Sequence, residues 1–427
     1  MDHRADRIFI QSHVFMTNVD YLIIGGGIAG TTAAETIRKL DPNGSIVIVS
    51  EEPHHLYSRV LLPHYIRGKI KREFVFLKPL EWYQNHSIVL QNTRMMRQMN
   101  RVAHTVTLDD GTEYQYRKLL IATGGRVRRL ELPDLRGITY FRTIDDADAI
   151  LAILAQIDAD KAAPKTGVVF GGGFIGLEFA PIFHERGLET HLLIRGHHYW
   201  STVLDEASEA VLVQLFAERD IHLHTAISYV KVEGGAHLEA VDIGGRKIKT
   251  RTLGIGVGLT QNLEAVEDAG IEVANGILAN EYLETSAPDV YTAGDVAEFF
   301  DLTVGRHRML GNWMNAVQHG ITAGKNMTGD RTPFELVSSY STSPFGVSVT
   351  FVGDVSREPE TQVIQRYDAT HRAAGQIFVR GARVVGATLI NMNRARTPIT
   401  ALIKKKVDVR GFAEQLADPE FDLGGLL

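Results

Sequence analysis

The chain of 427 residues contains no cysteine. This excludes structural disulfides, thiolate metal sites and every redox cycle that runs through a cysteine. No apolar run approaches the ~20 residues that span a bilayer, so no membrane segment is predicted. The formal net charge is −6 at pH 7. That value argues against a general nucleic-acid binder, because such a protein needs a basic surface to displace counterions.

The remaining composition is ordinary. Hydrophobic residues make up 44% and charged residues 22% of the chain, as in soluble globular proteins, and the length allows two or three domains. The start of the chain carries acids and lacks an apolar core, so no secretory signal is predicted. We expect a cytoplasmic protein without a metal site, in which residues 1–15 are a disordered extension or an over-extended start before Met16.

Two glycine fingerprints are the most informative feature of the sequence. Residues 25–30 read GGGIAG and residues 171–176 read GGGFIG, each after an apolar run. In such a strand–turn–helix the first glycine allows a tight turn, the second lets backbone approach a pyrophosphate, and the third lets the helix pack on the strand. The helix N-terminus then favours the anion. Two fingerprints predict two dinucleotides held side by side, which is typical of a protein that moves electrons between them.

Two further features accompany the first fingerprint. Glu51 stands 21 residues after Gly30, at the tip of the second predicted strand, where an acid can hold a ribose 2′-hydroxyl; the alternative is a solvated acid at a strand end. A later strand, 118–122, runs into Ala122, Thr123 and Gly124. Small residues there let a strand end lie against a cofactor, although a plain turn gives the same pattern.

The second fingerprint opens a similar unit. A helix is predicted over 175–186 with Glu178 in its first turn, and a strand over 190–194. That strand ends in Ile194 and Arg195 instead of an acid, which removes the repulsion of a 2′-phosphate and provides an arginine to bind it. The pattern favours NADPH over NADH. Arg195 has two alternative interpretations, stacking on adenine or a solvated charge.

In combination these motifs resemble the pyridine nucleotide–disulfide oxidoreductases, and within them the rubredoxin and ferredoxin reductases and the flavin-bearing part of assimilatory nitrite reductases. The likeness extends from about Val19 to Gly329 and includes Gly294-Asp295 and the segment 313–320, WMNAVQHG. It implies an α/β fold with two Rossmann-like dinucleotide-binding domains, one inserted in the other, and a C-terminal α+β interface domain. The implied boundaries are 17–127 and 259–333 for the FAD domain, 128–258 for the NAD(P) domain and 334–427 for the last domain.

The same resemblance implies the cofactor contacts. Arg59 would contact the FAD phosphates, Met96 the adenine through its backbone, Asp295 the ribityl chain, and Trp313 would lie near the flavin. The residues implied for FAD are Gly25, Gly27, Ile28, Ala29, Gly30, Glu51, Arg59, Met96, Ala122, Thr123, Gly124, Gly294, Asp295 and Trp313. Those implied for NAD(P) are Gly171, Gly173, Phe174, Ile175, Gly176, Arg195, Gly256 and Gly258.

Two residues are implied to act in catalysis. Glu178 lies in the family's Gly-Leu-Glu element, which reaches the flavin from the nicotinamide side. His64 stands where ferredoxin reductases carry a lysine that pairs with this glutamate, so the pair would respond to pH near neutrality. The alternatives are a glutamate favoured by the helix dipole and an ordinary helix histidine. Members that reduce disulfides or peroxides carry a cysteine near residues 59–63, and this chain has none.

These features predict an FAD-dependent NAD(P)H:acceptor oxidoreductase that passes electrons to a small carrier, a rubredoxin or iron–sulfur protein. Such carriers are often acidic, which predicts a basic patch. The candidates are Arg394, Arg396, Lys404, Lys405, Lys406 and Arg410, with a solvated helix face as the alternative for the lysines. Three other functions stay open: an electron-input subunit of a nitrite-reductase-like system, an oxidase that reduces dioxygen, and a flavin-binding redox sensor or scaffold.

Overall fold

The computed structural model describes residues 16–427, and the extension predicted over residues 1–15 lies outside the described residues. The first sheet is parallel around its central strands, and Ile24 pairs with both Val49 and Ile121 at their carboxyl ends. Three strand ends therefore meet beside the first glycine turn. The sheet runs in the order Ile88–Asn92, Ile46–Ser50, Met16–Ile24, Glu113–Ile121, Thr105–Leu108 and Met96–Asn100, with Val290–Thr292 also paired to Glu113–Ile121.

The second sheet is parallel throughout and surrounds the second glycine turn. Its strands run in the order Ile221–His224, Glu189–Leu193, Thr166–Phe170, Thr252–Ile255 and Ile138–Tyr140. The first sheet takes strands from both sides of this stretch of sequence. One dinucleotide-binding fold is thus inserted in the other.

The C-terminal part of the chain forms an antiparallel five-stranded sheet in the order Ser339–Thr342, Val349–Gly353, Arg383–Ile390, Ala373–Arg380 and Thr361–Asp368. Phe351 and Ile390 of this sheet share one buried cluster with Leu177 and Phe179 of the second glycine-rich helix. The smaller sheets comprise Lys231–Gly234, Leu238–Asp242 and Lys247–Lys249; Arg126–Val127 with Leu259–Thr260; and Ile277–Ala279, Ala297–Asp301 and Arg306–Arg308.

The helices connect and cover these sheets. The α-helices of the described chain are Ile28–Leu40, Leu62–Ile66, Leu80–Asn85, Ile144–Ala159, Phe174–Glu185, Glu206–Glu218, Glu264–Asp268, Trp313–Met327, Arg396–Lys404 and Ala413–Ala417. Short 3-10 turns lie at Arg59–Leu61, Arg72–Val75, Gly294–Val296, Pro344–Gly346, Asn393–Ala395 and Leu423–Leu426. No helix within residues 16–427 is long and apolar enough to cross a membrane.

Two glycines let the long helix Trp313–Met327 lie against the first glycine-rich helix. A Cβ atom added to Gly320 would stand 2.4 Å from the Ala29 carbonyl oxygen, and one added to Gly324 would stand 2.9 Å from that of Ala33. Any larger side chain would push the backbones apart. The close contact fixes the start of the Trp313 helix beside the first glycine turn.

Two sequence expectations about helix positions are wrong. The second glycine-rich helix begins at Phe174, so Glu178 is its fifth residue and its first turn has no acid. The basic C-terminal helix ends at Lys404, which leaves Lys405 and Lys406 beyond it. Lys406 has a φ of 52°, a left-handed conformation that cannot continue a helix.

Candidate functional site

The first glycine turn is tight at two glycines and open at a third. Gly25 has a φ of 121°, and a Cβ there would stand 2.2 Å from the Ala122 carbonyl oxygen. A Cβ on Gly30 would stand 2.0 Å from the carbonyl oxygen of Gly25. Gly27 differs, because an added Cβ would meet nothing within 4 Å. Two glycines are thus required by packing, while the third leaves free space at the helix start.

The second turn repeats this geometry. Gly171 has a φ of 132°, and its Cβ would stand 2.1 Å from the Gly256 carbonyl oxygen. A Cβ on Gly176 would stand 1.9 Å from the Gly171 oxygen, whereas one on Gly173 would again meet nothing within 4 Å. Gly256 is itself confined, with its Cβ position 2.8 Å from that of Ile175. The strand, turn and helix are therefore locked together around another open position.

Both turns feed helices whose N-termini have no side-chain cap. Among the longer helices of the described chain, Thr143, Asp205 and Asn312 each accept a hydrogen bond from the first turn that follows them. Gly27 and Gly173 provide no such cap, and neither first turn contains an acid. The free N–H groups and the helix dipole at these two ends suit an anion such as a pyrophosphate.

Asp295 reaches the first turn from the far end of the sequence. Gly294 packs on Ala29, where a Cβ would stand 3.2 Å from that of Ala29. The Asp295 carboxylate accepts a hydrogen bond of 3.2 Å from Arg142, and both side chains are largely covered, at 20% and 17% exposed. A Cβ atom added to Gly311, just before the Trp313 helix, would stand 3.7 Å from the same carboxylate. Asp295, Ala29 and the start of the Trp313 helix therefore lie close together in the structure.

A buried histidine, His319, holds the backbone at Gly294 in place. His319 is fully buried, and its Nδ1 accepts a hydrogen bond of 3.2 Å from the Gly294 N–H. Its ring packs edge-on against Phe299 and Phe334. Burial lowers the pKa of His319 to about 3, so it is neutral at physiological pH and free to accept that bond.

Arg59 and Arg142 lie next to each other beside Asp295. Arg59 donates to the Arg142 carbonyl oxygen at 2.7 Å and to the Glu52 carboxylate. Burial, and then the charge of Arg59, lower the pKa of Arg142. Burial acts the same way on Arg59, but Glu52, Tyr57 and Asp295 together outweigh it and raise the pKa of Arg59. Each guanidinium group has one carboxylate partner and keeps further N–H groups that can donate to the phosphates of a dinucleotide. Arg142 and Glu52 were not predicted from the sequence.

Glu51 lies at the end of the second strand, as predicted, with 56% of its side chain exposed. It accepts a hydrogen bond of 2.7 Å from Arg126. The same Arg126 nitrogen lies 3.3 Å from the sulfur of Met95, so Met96 begins its strand next to this group. Thr123 and Gly124 follow Ala122 on the same edge, where a Cβ on Gly124 would stand 3.2 Å from Arg142. Glu51 and Met96, which are predicted to contact the adenosine of FAD, thus lie at the same edge of the sheet as Arg142.

Glu178 is partly buried between the second glycine-rich helix and the C-terminal sheet. Its Oε1 accepts a hydrogen bond of 2.9 Å from the hydroxyl of Thr342. Burial raises the pKa of Glu178, and the Thr342 bond and the charges of His64 and Arg67 only partly counteract it. Among the described residues no hydrogen bond or ion pair joins His64 to Glu178. His64 is thus close enough to influence the carboxylate, and the direct partner is Thr342, which was not predicted.

The remaining NAD(P) candidates divide into a covered and an exposed group. Phe174 packs against Trp200, Tyr340 and Phe351, with ring centroids 4.6, 4.8 and 5.5 Å away. Gly258 has a φ of 98° and open space at its Cβ position. Arg195 is exposed, follows the strand Glu189–Leu193, and makes no hydrogen bond or ion pair to another described side chain. It is therefore available to a ligand at this strand end.

The residues present fit two dinucleotides. Each open glycine, Gly27 and Gly173, lies at a helix start without an acid. The first turn adds two covered arginines, Arg59 and Arg142, and the second adds the free Arg195. This is the donor set expected for pyrophosphates bound at the carboxyl ends of parallel strands.

Comparison with known proteins agrees with this geometry. The profile of the family "Pyridine nucleotide-disulphide oxidoreductase" matches residues 19–320, and the chain belongs to this family. It is 27% identical over 406 residues to the p-cumate 2,3-dioxygenase system ferredoxin–NAD(+) reductase component of Pseudomonas putida, covering 94% of this chain and 97% of that protein. It is 30% identical over 430 residues to the NADH oxidase of Methanocaldococcus jannaschii, covering 94% and 93%.

A solved structure shows the same fold. The covalent putidaredoxin reductase–putidaredoxin complex superposes with a TM-score of 0.88 at 24% identity, over 96% of this chain and 98% of the matched chain. The predicted α/β fold of two dinucleotide-binding domains is confirmed. The chain is an oxidoreductase of the FAD- and pyridine-nucleotide-dependent class.

Proposed function

We propose that the protein is an FAD-dependent NAD(P)H:acceptor oxidoreductase that passes electrons to a small redox-carrier protein of rubredoxin or ferredoxin type. The observation that carries this proposal is the pair of equivalent, uncapped glycine turns in one chain, with Glu178 on the second helix. The relative from Pseudomonas putida, named as a ferredoxin–NAD(+) reductase component, supports the same acceptor class.

The role of each group of residues follows from its position in the site. When bound, the nicotinamide supplies a hydride, and the flavin accepts it and releases electrons. Gly27 and Gly173 admit the two pyrophosphates, and Arg59 and Arg142 offer N–H groups to phosphate on the FAD side. The aromatic group around Phe174 excludes water from the side of the C-terminal sheet. Burial raises the pKa of Glu178, so its carboxyl group at this boundary takes up a proton more readily than an exposed glutamate does.

The acceptor lies outside the chain. The sequence has no cysteine, so no protein dithiol can receive the electrons. A carrier must therefore approach the bound flavin directly.

An anaerobic titration tests the proposal. Purified FAD-loaded protein is titrated with NADPH and, separately, NADH, while the flavin absorbance is followed. We expect rapid bleaching by at least one coenzyme, followed by reoxidation on adding a rubredoxin or a [2Fe–2S] ferredoxin. A flavin that dithionite reduces but neither coenzyme bleaches would support a sensor or scaffold. Fast oxygen consumption without a carrier would support an oxidase.

We further infer a preference for NADPH, because Arg195 is exposed and unpaired among the described residues and the strand before it ends in Ile194. Replacing Arg195 by Asp restores an acid and removes the phosphate partner. We expect the ratio of kcat/KM for NADPH to that for NADH to fall about 10- to 100-fold, or ~1.4–2.7 kcal/mol. Arg101→Asp, at another exposed arginine, makes the same charge change and should leave the ratio unchanged. An equal ratio in both variants would remove Arg195 from coenzyme selection.

The carrier is proposed to dock at one end of the basic C-terminal helix. Arg410 pairs with Asp408 and contributes little free charge. Thr342, the partner of Glu178, pairs with Val349, and Val349 pairs with Ile390. Adjacent strands are ~4.8 Å apart, so the 3-10 turn with Arg394 and the helix start at Arg396 leave the sheet on the side of the site.

The lysines lie at the opposite end. Ile403, next to Lys404, packs over Gly353, where a Cβ would stand 3.0 Å from its Cδ1 atom. Gly353 pairs with Gly386, four residues before Ile390, or ~13 Å along the strand. The double variant Arg394→Glu/Arg396→Glu should therefore raise the KM for an acidic [2Fe–2S] ferredoxin about 10-fold at low salt. Lys404→Glu/Lys405→Glu is the matched control, and ferricyanide reduction should stay constant in both. Equal effects of the two pairs would contradict docking at the arginine end.

The domain division is kept as a proposal: 17–127 with 259–333, 128–258, and 334–427. It is supported by the order of strands along the chain, because strands of the first sheet come both before and after those of the second. Limited proteolysis should cut first near residues 128 and 258, where the paired strands Arg126–Val127 and Leu259–Thr260 connect the two folds. First cuts within either parallel sheet would contradict these boundaries.

A further inference from the structure

Three side chains that bind transition metals lie together at the edge of the second parallel sheet. Glu189 and His191 belong to one strand, and His222 lies on the neighbouring edge strand in register with His191. Residues two apart on a strand share a face, so Glu189, His191, His222 and His224 all project from the same side. Within residues 16–427 no other three His, Asp or Glu side chains bring their ligand atoms within 4.8 Å of one another.

The spacing of the ligand atoms suits a tetrahedral ion. Oε1 of Glu189 lies 3.3 Å from Nε2 of His191 and 3.1 Å from Nε2 of His222. Zinc bonds of ~2.0–2.1 Å place tetrahedral ligands ~3.3 Å apart. The His191 side chain is 6% exposed, while those of Glu189 and His222 are 55% and 48% exposed. An ion can therefore enter from solvent and keep a water molecule as its fourth ligand.

His224 orients the buried ligand. Its Nε2 lies 2.9 Å from Nδ1 of His191. A hydrogen bond at that nitrogen fixes the ring and leaves Nε2 of His191 directed at Glu189. Metal-binding histidines commonly use their second nitrogen in this way.

We propose that Glu189, His191 and His222 form a binding site for Zn²⁺, with His224 as a positioning residue. His191 lies on the same face as Leu193, Val168 and Phe170, which pack in a cluster separate from that of the glycine-rich helix. The site is thus on the sheet face opposite the glycine-rich helix. Bound zinc would join the edge strand Ile221–His224 to its neighbour, so its effect is on the stability of this sheet.

Calorimetric titration of chelator-treated, FAD-loaded protein with Zn²⁺ alone tests the site. We expect one saturable site per chain and a rise in Tm. His222→Ala removes an exposed ligand and should abolish this binding, while His224→Ala should weaken it about 10- to 100-fold. His371→Ala is the control, because His371 is an exposed histidine next to an acid, Asp368, elsewhere on the chain. Co²⁺ should give the visible spectrum of a tetrahedral site in the parent protein and not in His222→Ala.

Arg246 provides a variant expected to gain affinity. Its positive charge acts on His191 and His224 and opposes a second cation. Arg246→Ala should tighten Zn²⁺ binding several-fold. Zinc binding that survives in His222→Ala, or the absence of zinc binding in the parent protein, would overturn the proposal.

Discussion

The two glycine turns use one backbone arrangement but are enclosed in different ways. In each, two glycines are pressed so close to carbonyl oxygens that an added Cβ would stand within 2.2 Å of the oxygen, while the glycine just before the helix, Gly27 or Gly173, leaves open space. The first turn is covered by its own fold, through Gly320 on Ala29 and through Asp295 with Arg142. The second is covered by a separate sheet, through Thr342 on Glu178 and Tyr340 on Phe174. The glycine turn fixes where a pyrophosphate lies. The elements that pack over the turn determine how firmly the rest of the dinucleotide is held.

The buried titratable groups at the two turns respond to pH in opposite directions. Beside the first turn, burial keeps His319 neutral by lowering its pKa to about 3. Beside the second, burial raises the pKa of Glu178 and so also favours the neutral form. A neutral histidine is lost in acid, whereas a neutral carboxyl is lost as pH rises. The two turns should therefore fail at opposite ends of the pH range.

Acid should weaken the first turn through His319. Between its unfolded pKa near 6.5 and its folded pKa of about 3, the unfolded chain binds the extra proton, so stability falls as pH decreases. At ~1.4 kcal/mol per pKa unit the loss over this whole interval is on the order of 5 kcal/mol. Thermal unfolding of the FAD-loaded protein from pH 7 to pH 4 should show a steeper fall in Tm than in His319→Gln, which cannot take up the proton.

His371→Gln is the matched control, because that ring is exposed and already paired with Asp368. It should follow the parent curve. If His319→Gln also follows the parent curve, His319 does not weaken the first turn in acid, and that half of the comparison between the two turns is wrong.

Alanine at the open glycines should separate the two dinucleotides. Gly27→Ala and Gly173→Ala introduce a methyl group that meets no protein atom within 4 Å, so the fold should be kept. Each methyl group would occupy space at the helix start where a pyrophosphate is expected. We expect FAD to bind about 10- to 100-fold more weakly in Gly27→Ala, a change of ~1.4–2.7 kcal/mol. In Gly173→Ala, FAD binding should be normal and the KM for NAD(P)H should rise by a similar factor.

Cofactor content after dialysis and steady-state kinetics measure the two effects. Gly235→Ala serves as a control, since its Cβ also meets nothing within 4 Å, its φ is not left-handed, and it lies in an exposed turn after the strand Lys231–Gly234. Loss of FAD from Gly173→Ala as well would mean that the turns are not independent.

The sequence predicted the parts of the site that a local pattern determines. Gly25, Gly171 and Glu51 stand at strand ends that hydrophobic runs and glycine spacing locate. Arg142 could not be found this way, because it meets Asp295 across 153 positions of sequence and belongs to no motif. Thr342 meets Glu178 across 164 positions for the same reason. Such contacts depend on how whole sheets pack, and no periodicity in either segment records them.

The smallest effect on stability should appear as pH rises, and it should come from Glu178 beside the second turn. The folded chain holds the proton on Glu178 above pH 4.5, where the unfolded chain releases it, so stability falls as pH rises through that window. Glu178→Gln keeps an acceptor for Thr342 and removes the charge, so at pH 7 it should be more stable by ~1.4 kcal/mol for each unit of pKa shift. Glu185→Gln, on the same helix, is the opposite control: the hydrogen bond from Arg67 lowers the pKa of Glu185, and its loss should reduce stability at pH 7. Urea unfolding of the four proteins, parent and three variants including Glu178→Ala, measures both signs, and a Glu178→Gln variant less stable than the parent at pH 7 would show that the ionised carboxylate stabilises the fold.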